Sequence, residues 1–147
     1  MVGTDKPLDD ITGEIVDAAF KLHSNLGPGL LESVYETVLA HELQRRGFQI
    51  ERQKPVSFRY DGMDFNGGFR VDLMVESQVI VEIKSVERLA PVHSKQLLTY
   101  LRLLNLPVGL LINFGASTLK DGLNRIATGL LPTASPRLRV NQILKEQ

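Results

Sequence analysis

Cysteine is absent from the 147 residues, and with it go disulfide frameworks, zinc ribbons and cysteine nucleophiles. No apolar run approaches the roughly 18 residues that a membrane span requires. The opening segment Met1 to Asp10 has no apolar signal core, so a soluble protein of the cytoplasm is expected, with no membrane partner. Neither charge sign dominates. Seventeen Lys plus Arg balance 17 Asp plus Glu, which excludes coating of nucleic acid by bulk charge. It does not exclude an enzyme whose own carboxylates offset its basic patches. No glycine-rich phosphate loop or serine elbow is present, and there is no repeat, linker or low-complexity segment.

What is there suits one globular domain, with 43% hydrophobic and 23% charged residues. Residues 1–129 are expected to form that domain, and 130–147 a tail with no assigned structure. Ile11, Ile15, Ala18, Ala19, Leu22 and Leu26 follow helical spacing up to a break at Gly27-Pro28-Gly29. A second helix is predicted from Leu30 to Arg46, stopped by Gly47. Strands are predicted over 52–60, 69–75 and 79–86, with turns at 61–64 and 76–78. In the second strand, Phe69, Val71, Leu73 and Val75 should share one face and Arg70, Asp72 and Met74 the other. A third helix over 91–105 presents Leu97, Leu98, Leu101 and Leu104. A wholly apolar strand follows over 107–114 and a last helix over 119–126. The order ααβββαβα implies an α/β (α+β) fold, a mixed sheet of about four strands flanked by helices.

The strand Val79–Val86 carries the chemistry. Glu82 and Lys84 share a face with Ile80, while Val79, Val81 and Ile83 take the other. An acid and an ammonium in an apolar strand are costly to bury unless something binds them. Asp72 reaches the face of Glu82 only if paired residue numbers sum to an even number. A three-residue turn at 76–78 pairs Asp72 with Glu82 and Arg70 with Lys84, whereas a two-residue turn sets Asp72 against Ile83. In the even register the two carboxylates lie about 5 Å apart at Cβ. Two readings are open. One is a cross-strand ion network of Asp72, Glu82, Lys84 and Arg70. The other is a site for a hard cation, Mg²⁺ or Mn²⁺, with the Ile83 carbonyl as a further oxygen and Lys84 beside it to orient water or stabilise phosphoryl charge.

On a helical wheel that starts at Leu31, Glu32 falls inside an apolar arc made by Val34, Tyr35, Val38, Leu39 and Leu43. It has no cation one turn away, although compensation of the helix dipole would also explain it. Glu42 falls in the same arc, but Arg45 and Arg46 follow it, which makes a surface ion pair. On the third helix Gln96 and Tyr100 share a face beside the leucines. They either lean over the strand carboxylates or form an ordinary polar border. His93 lies near that face with no evident partner.

These residues resemble a known family. Gly29-Leu30-Leu31-Glu32-Ser33-Val34-Tyr35 matches the signature of the GxxExxY proteins, which are grouped with the PD-(D/E)xK nucleases. The resemblance spans Ile11 to Ile126. It includes Glu32, Asp72, Glu82-x-Lys84, Gln96, Tyr100 and Asn113-Phe114-Gly115. It implies a restriction-endonuclease-like fold and one or two Mg²⁺ ions held by Glu32, Asp72 and Glu82. It assigns Lys84 to the attacking water, with Gln96 and Tyr100 in support. The proline that usually precedes the strand Asp is replaced here by Val71. Two functions follow as expectations. The first is hydrolysis of phosphodiester bonds, in DNA rather than RNA, and the second is a non-catalytic module that binds nucleic acid or protein. So short a chain has little surface for reading a substrate, which suggests a homodimer or a protein partner.

Overall fold

The computed structural model describes residues 6–130. The expected tail lies outside the described residues apart from Leu130. Helix α1 spans Leu8–Leu26 and opens on Pro7, whose carbonyl accepts from the amides of Asp10 and Ile11, each at 3.1 Å. Asp9 and Asp10 in its first turn offset the positive end of the helix dipole. Gly27 and Gly29, both at positive φ, break the chain before α2, Glu32–Arg45. Gly47, at φ 91°, ends α2 as the sequence suggested.

Strands β1 (Ile50–Tyr60) and β2 (Met63–Val75) form a hairpin longer than expected. Its turn, Asp61-Gly62, has positive φ at both residues, the geometry that matches strand twist. Then come β3 (Val79–Lys84), α3 (Pro91–Leu104), β4 (Val108–Asn113), a one-turn α4 (Leu119–Gly122) and β5 (Leu123–Ala127). The sheet order is β1-β2-β3-β4-β5, with only β3 and β4 parallel. The sheet therefore has five strands rather than about four. Residues 123–127 form β5 instead of continuing a helix, because they supply ladder partners to β4, which is buried along its whole length.

The sheet is packed on both faces. Ile11, Ile15, Tyr35, Leu39 and Leu43 of α1 and α2 pack against Leu73, Val75, Val81 and Ile112. On the other face Leu97 and Leu101 of α3 meet Met74, Ile80 and Leu111. No helix among the described residues is long and apolar enough to cross a membrane.

Two local features deliver the functional strands. The first is the turn between β2 and β3, which has three residues and gives the pairs Leu73–Val81, Met74–Ile80 and Val75–Val79. Each pair sums to the same even number, the register that brings Asp72 opposite Glu82. Glu76 and Ser77 in that turn both take φ 55°, a region that side chains disfavour. Glu76 is fully buried, and it holds the turn by a two-point clamp on Gln49. Its amide donates to the Gln49 carbonyl at 2.9 Å, and its Oε2 accepts from the Gln49 amide at 2.5 Å.

The second feature is a break in alternation. Leu73 and Val75 face α1 and α2 as expected, but Phe69 and Val71 lie on the α3 side with Met74. The expected single face Phe69-Val71-Leu73-Val75 is thus split at Asp72. β1 switches faces at the same level, since Ile50 packs toward α1 and α2 and Val56 toward α3. Between these β1 residues Gln53 takes φ 47°. The distortion at Gln53 and Asp72 turns the hairpin across the sheet.

Candidate active site

Below the pair Leu73–Val81 the ladder continues through side chains. The Asp72 amide donates to Glu82 Oε1 at 3.2 Å, and the Ile83 amide donates to Asp72 Oδ2 at 2.8 Å. Two carboxylates thus stand where carbonyls would otherwise close the sheet. Glu82 is 7% exposed. Burial, then the nearby charge of Asp72, push its carboxyl up to about 8, against a weaker lowering by Lys84. Tyr100 is raised as well, first by burial and then by the charges of Glu82 and Asp72. Among the described residues no ion pair joins Lys84 or Arg70 to either acid, and Arg70 is exposed. The cross-strand ion network is therefore not formed. Lys84 is half-buried at the end of β3, on the strand face of Glu82.

Glu32 is exposed, not core-facing. The wheel starts from Leu31 and includes Val34, both of which are exposed. The buried stripe of α2 runs through Tyr35, Leu39 and Leu43 and carries Glu36 and Glu42 along its edges. Glu32 Oε2 accepts from the Ser85 amide at 3.2 Å, and Ser85 Oγ donates to the Leu30 carbonyl at 2.5 Å. Glu32 thereby ties the start of α2 to the segment that follows Lys84. Glu42 does pair with Arg46 at 2.9 Å and Arg45 at 3.3 Å, and also with Lys21 at 3.3 Å, but it is buried rather than on the surface.

The two sequence signatures meet at this place. Tyr35 is fully buried, and its hydroxyl donates to the Gly27 carbonyl at 2.5 Å and accepts from the Leu30 amide at 3.2 Å. Its ring stacks on Phe114 at 4.5 Å. Asn113 Oδ1 accepts from the amides of Val86 and Gly115, each at 3.0 Å, and its Nδ2 donates to the Val86 carbonyl at 2.9 Å. A side chain on Gly115 would collide with the Val86 backbone. The Phe114 amide donates to the Lys84 carbonyl at 2.8 Å. Both signatures therefore hold the end of β3, where Lys84 sits.

Of the α3 residues, Gln96 is exposed, while Tyr100 stacks on Phe69 at 4.1 Å and 13°. His93 caps α3, its Nδ1 accepting from the Ala90 amide at 3.1 Å. The side chain of Ile83 is buried in the core facing α1 and α2. An open cleft of about 570 Å³ runs between α2 and the strands, bordered by Glu32, Glu36, Gln53, Asp72 and Ile83.

Three residues at or behind the site were missed in the sequence. Glu36 lies one turn after Glu32, just outside the wheel arc, yet it is 6% exposed and paired with Arg52 at 3.0 Å. Gln53 had no signal, because its left-handed backbone follows no sequence rule. Glu76 read as an ordinary turn residue.

Among the described residues no group of three or more His, Cys, Asp or Glu side chains is disposed to hold a metal ion. Glu32 borders the same cleft as Asp72, but the two do not form such a group with Glu82. The strand pair alone still suits a hard cation. It offers carboxylate oxygens, and among the described residues neither acid has an ion-pair partner, so burial and the charge of Asp72 push the Glu82 carboxyl upward. Mg²⁺ commonly binds through one or two carboxylates and completes its shell from water and substrate phosphate. The residues present therefore fit Mg²⁺ or Mn²⁺ as a partial, substrate-completed site.

Comparison with known proteins supplies the family. A search of curated proteins finds no match. One solved structure, titled "Crystal structure of SSO0001", is 15% identical and covers 90% of this chain and 75% of its own, with a TM-score of 0.40. That score is too low to bear on the fold. A family profile described as the PD-(D/E)XK nuclease superfamily matches residues 9–126, from the first turn of α1 to β5. With that match across most of its length, the chain belongs to the PD-(D/E)XK nuclease superfamily.

Proposed function

We propose that this protein is a metal-dependent nuclease of the GxxExxY type that hydrolyses phosphodiester bonds in DNA, with Asp72 and Glu82 holding Mg²⁺ or Mn²⁺. The observation that carries this reading is the pairing of a buried Glu82 with a half-buried Asp72, with Lys84 on the same strand and not ion-paired to either acid. The Ile83 carbonyl is the further oxygen of the site. When bound, the cation supplies Lewis-acid polarisation of the phosphate and a water of lowered pKa. Asp72 is held by the Ile83 amide and Glu82 by the Asp72 amide, so both carboxylates are oriented in advance. The Lys84 ammonium orients the attacking water and stabilises negative charge on the phosphoryl oxygens. Tyr100, fixed by its stack on Phe69, lies close enough to feel both acids and donates its hydroxyl toward the phosphate. Gln96 assists from the exposed face of α3. Glu32 contributes by holding Ser85, and so the exit of β3, and would add a carboxylate to the cleft that Asp72 borders.

The test uses wild type, Asp72→Asn, Glu82→Gln and Lys84→Met, purified identically and incubated with single-stranded, duplex and branched DNA, and with RNA, in Mg²⁺ or Mn²⁺. Wild type should cleave at least one DNA substrate, and each variant should lose at least about a hundredfold in rate. Equal cleavage by all four would assign the activity to a contaminant. A second reading, a binding module without catalysis, is favoured by the absence of a three-acid cluster among the described residues. Calorimetry separates the two. Failure of wild type to bind Mn²⁺, with or without DNA, supports the module.

A further inference from the structure

We infer that Gln53 is the positioning residue of Asp72. This rests on the metal-site reading above and extends it to a residue on a different strand. Gln53 Nε2 donates to Asp72 Oδ1 at 3.1 Å and also to Glu36 Oε1. Its two amide hydrogens thus serve two carboxylates on separate elements. The orientation of the amide is not arbitrary, because both neighbours only accept, so the side chain must present NH₂ to them. Glu36 is anchored in turn. Its Oε2 accepts from Arg52 Nε at 3.1 Å, and Arg52 Nη2 reaches Thr37 Oγ1 at 2.8 Å. Glu36 is buried, so Gln53 hangs from a fixed point rather than from a mobile surface acid.

The backbone supports the same conclusion independently. Gln53 takes φ 47°, which disfavours any side chain, although a glycine would relieve it. It sits where β1 and β2 both exchange faces, opposite Asp72 between the pairs Arg52–Leu73 and Lys54–Val71. That turn of the backbone sends the glutamine amide into the cleft beside Asp72. With the Ile83 amide on Oδ2 and the exposed Gln53 amide on Oδ1, the carboxylate is held on both oxygens in its direction toward Glu82. Hydrogen bonds behind a metal ligand fix its direction, and their loss typically lowers metal affinity by roughly 10- to 100-fold.

The test is Gln53→Gly, which removes the amide and is at ease at positive φ, with Gln53→Asn as the second variant, since Asn tolerates that backbone. Both are compared with wild type by thermal melt, by Mn²⁺ calorimetry and by crystal structures without metal. The expected result is a glycine variant that melts close to wild type, binds Mn²⁺ roughly tenfold more weakly or worse, and shows Asp72 rotated away from Glu82. A folded glycine variant with wild-type Mn²⁺ affinity would overturn the inference. So would an Asp72 side chain that superimposes on wild type, or the failure of both variants to fold, which would make Gln53 a folding residue. If wild type itself binds no Mn²⁺, the nuclease reading fails, and the metal-free position of Asp72 alone decides the role of Gln53.

Discussion

Replacing Glu82 by glutamine should stabilise the metal-free protein. The carboxyl of Glu82 titrates near 8 in the fold and near 4.5 when exposed. Between these values the folded state holds a proton that the unfolded state has released. Stability therefore falls as pH rises through that window, by about 1.4 kcal/mol per pH unit for this group, and levels off above its upper end. By pH 7 the deficit is on the order of 3 kcal/mol. In the Glu82→Gln variant the new amide side chain would keep the hydrogen bond from the Asp72 backbone and could donate to the Asp72 carboxylate. The substitution thus removes the deficit without opening a cavity. The assay is urea unfolding in chelator at pH 5, 7 and 9. The variant should lie within about 1 kcal/mol of wild type at pH 5 and exceed it clearly at pH 7, with a wider gap at pH 9. Saturating Mg²⁺ or Mn²⁺ should then stabilise wild type, by about 2.7 kcal/mol at a hundred times the dissociation constant, and leave the variant unchanged. A variant less stable than wild type at pH 7, or a gap that does not grow with pH, would refute the electrostatic account of this pair.

Tyr35→Phe should keep the stack on Phe114 and lose both hydroxyl bonds to the Gly27–Leu30 loop, at a cost of about 1–2 kcal/mol in urea unfolding. Gly115→Ala should cost at least about 2 kcal/mol in the same assay, because the added carbon meets the Val86 backbone rather than a side chain that can move.

The fold was legible wherever periodicity and breakers agree. Gly27-Pro28-Gly29 and Gly47 bounded α2, and the apolar runs of β3 and β4 marked strands buried on both faces. β5 was not legible, because Leu119, Leu123 and Ile126 suit a helix as well as a strand, and the open edge of β4 decides between them. The Asp72–Glu82 register was legible from the length of one turn. What enforces that turn, Glu76 clamped on Gln49, was hidden, since a buried acid at positive φ contradicts every local preference of glutamate. Glu32 was misplaced for a related reason. A wheel that begins on Leu31 treats an exposed leucine as core, and apolar residues are common enough on surfaces to mislead a short helix.

Local rules are broken in this chain at a few neighbouring points. Glu82 is an acid buried in a strand, and Asp72 lies where a strand changes face. Gln53 and Glu76 hold backbone conformations that their side chains disfavour. Elsewhere the breakers Gly27-Pro28-Gly29 and Gly47 and the apolar runs of β3 and β4 agree with the fold. Each irregularity serves the same outcome. Glu76 fixes the turn, the turn fixes the register, the register brings Asp72 to Glu82, and Gln53 holds Asp72 there. A structure selected only for stability would exchange Glu82 for an apolar residue and close the ladder with carbonyls, since a buried carboxylate beside another is a net cost. The pair is held by the turn, by the Ile83 amide and by Gln53, while the sequence signatures brace the end of the strand carrying Lys84, which is the preorganisation that the proposed chemistry requires.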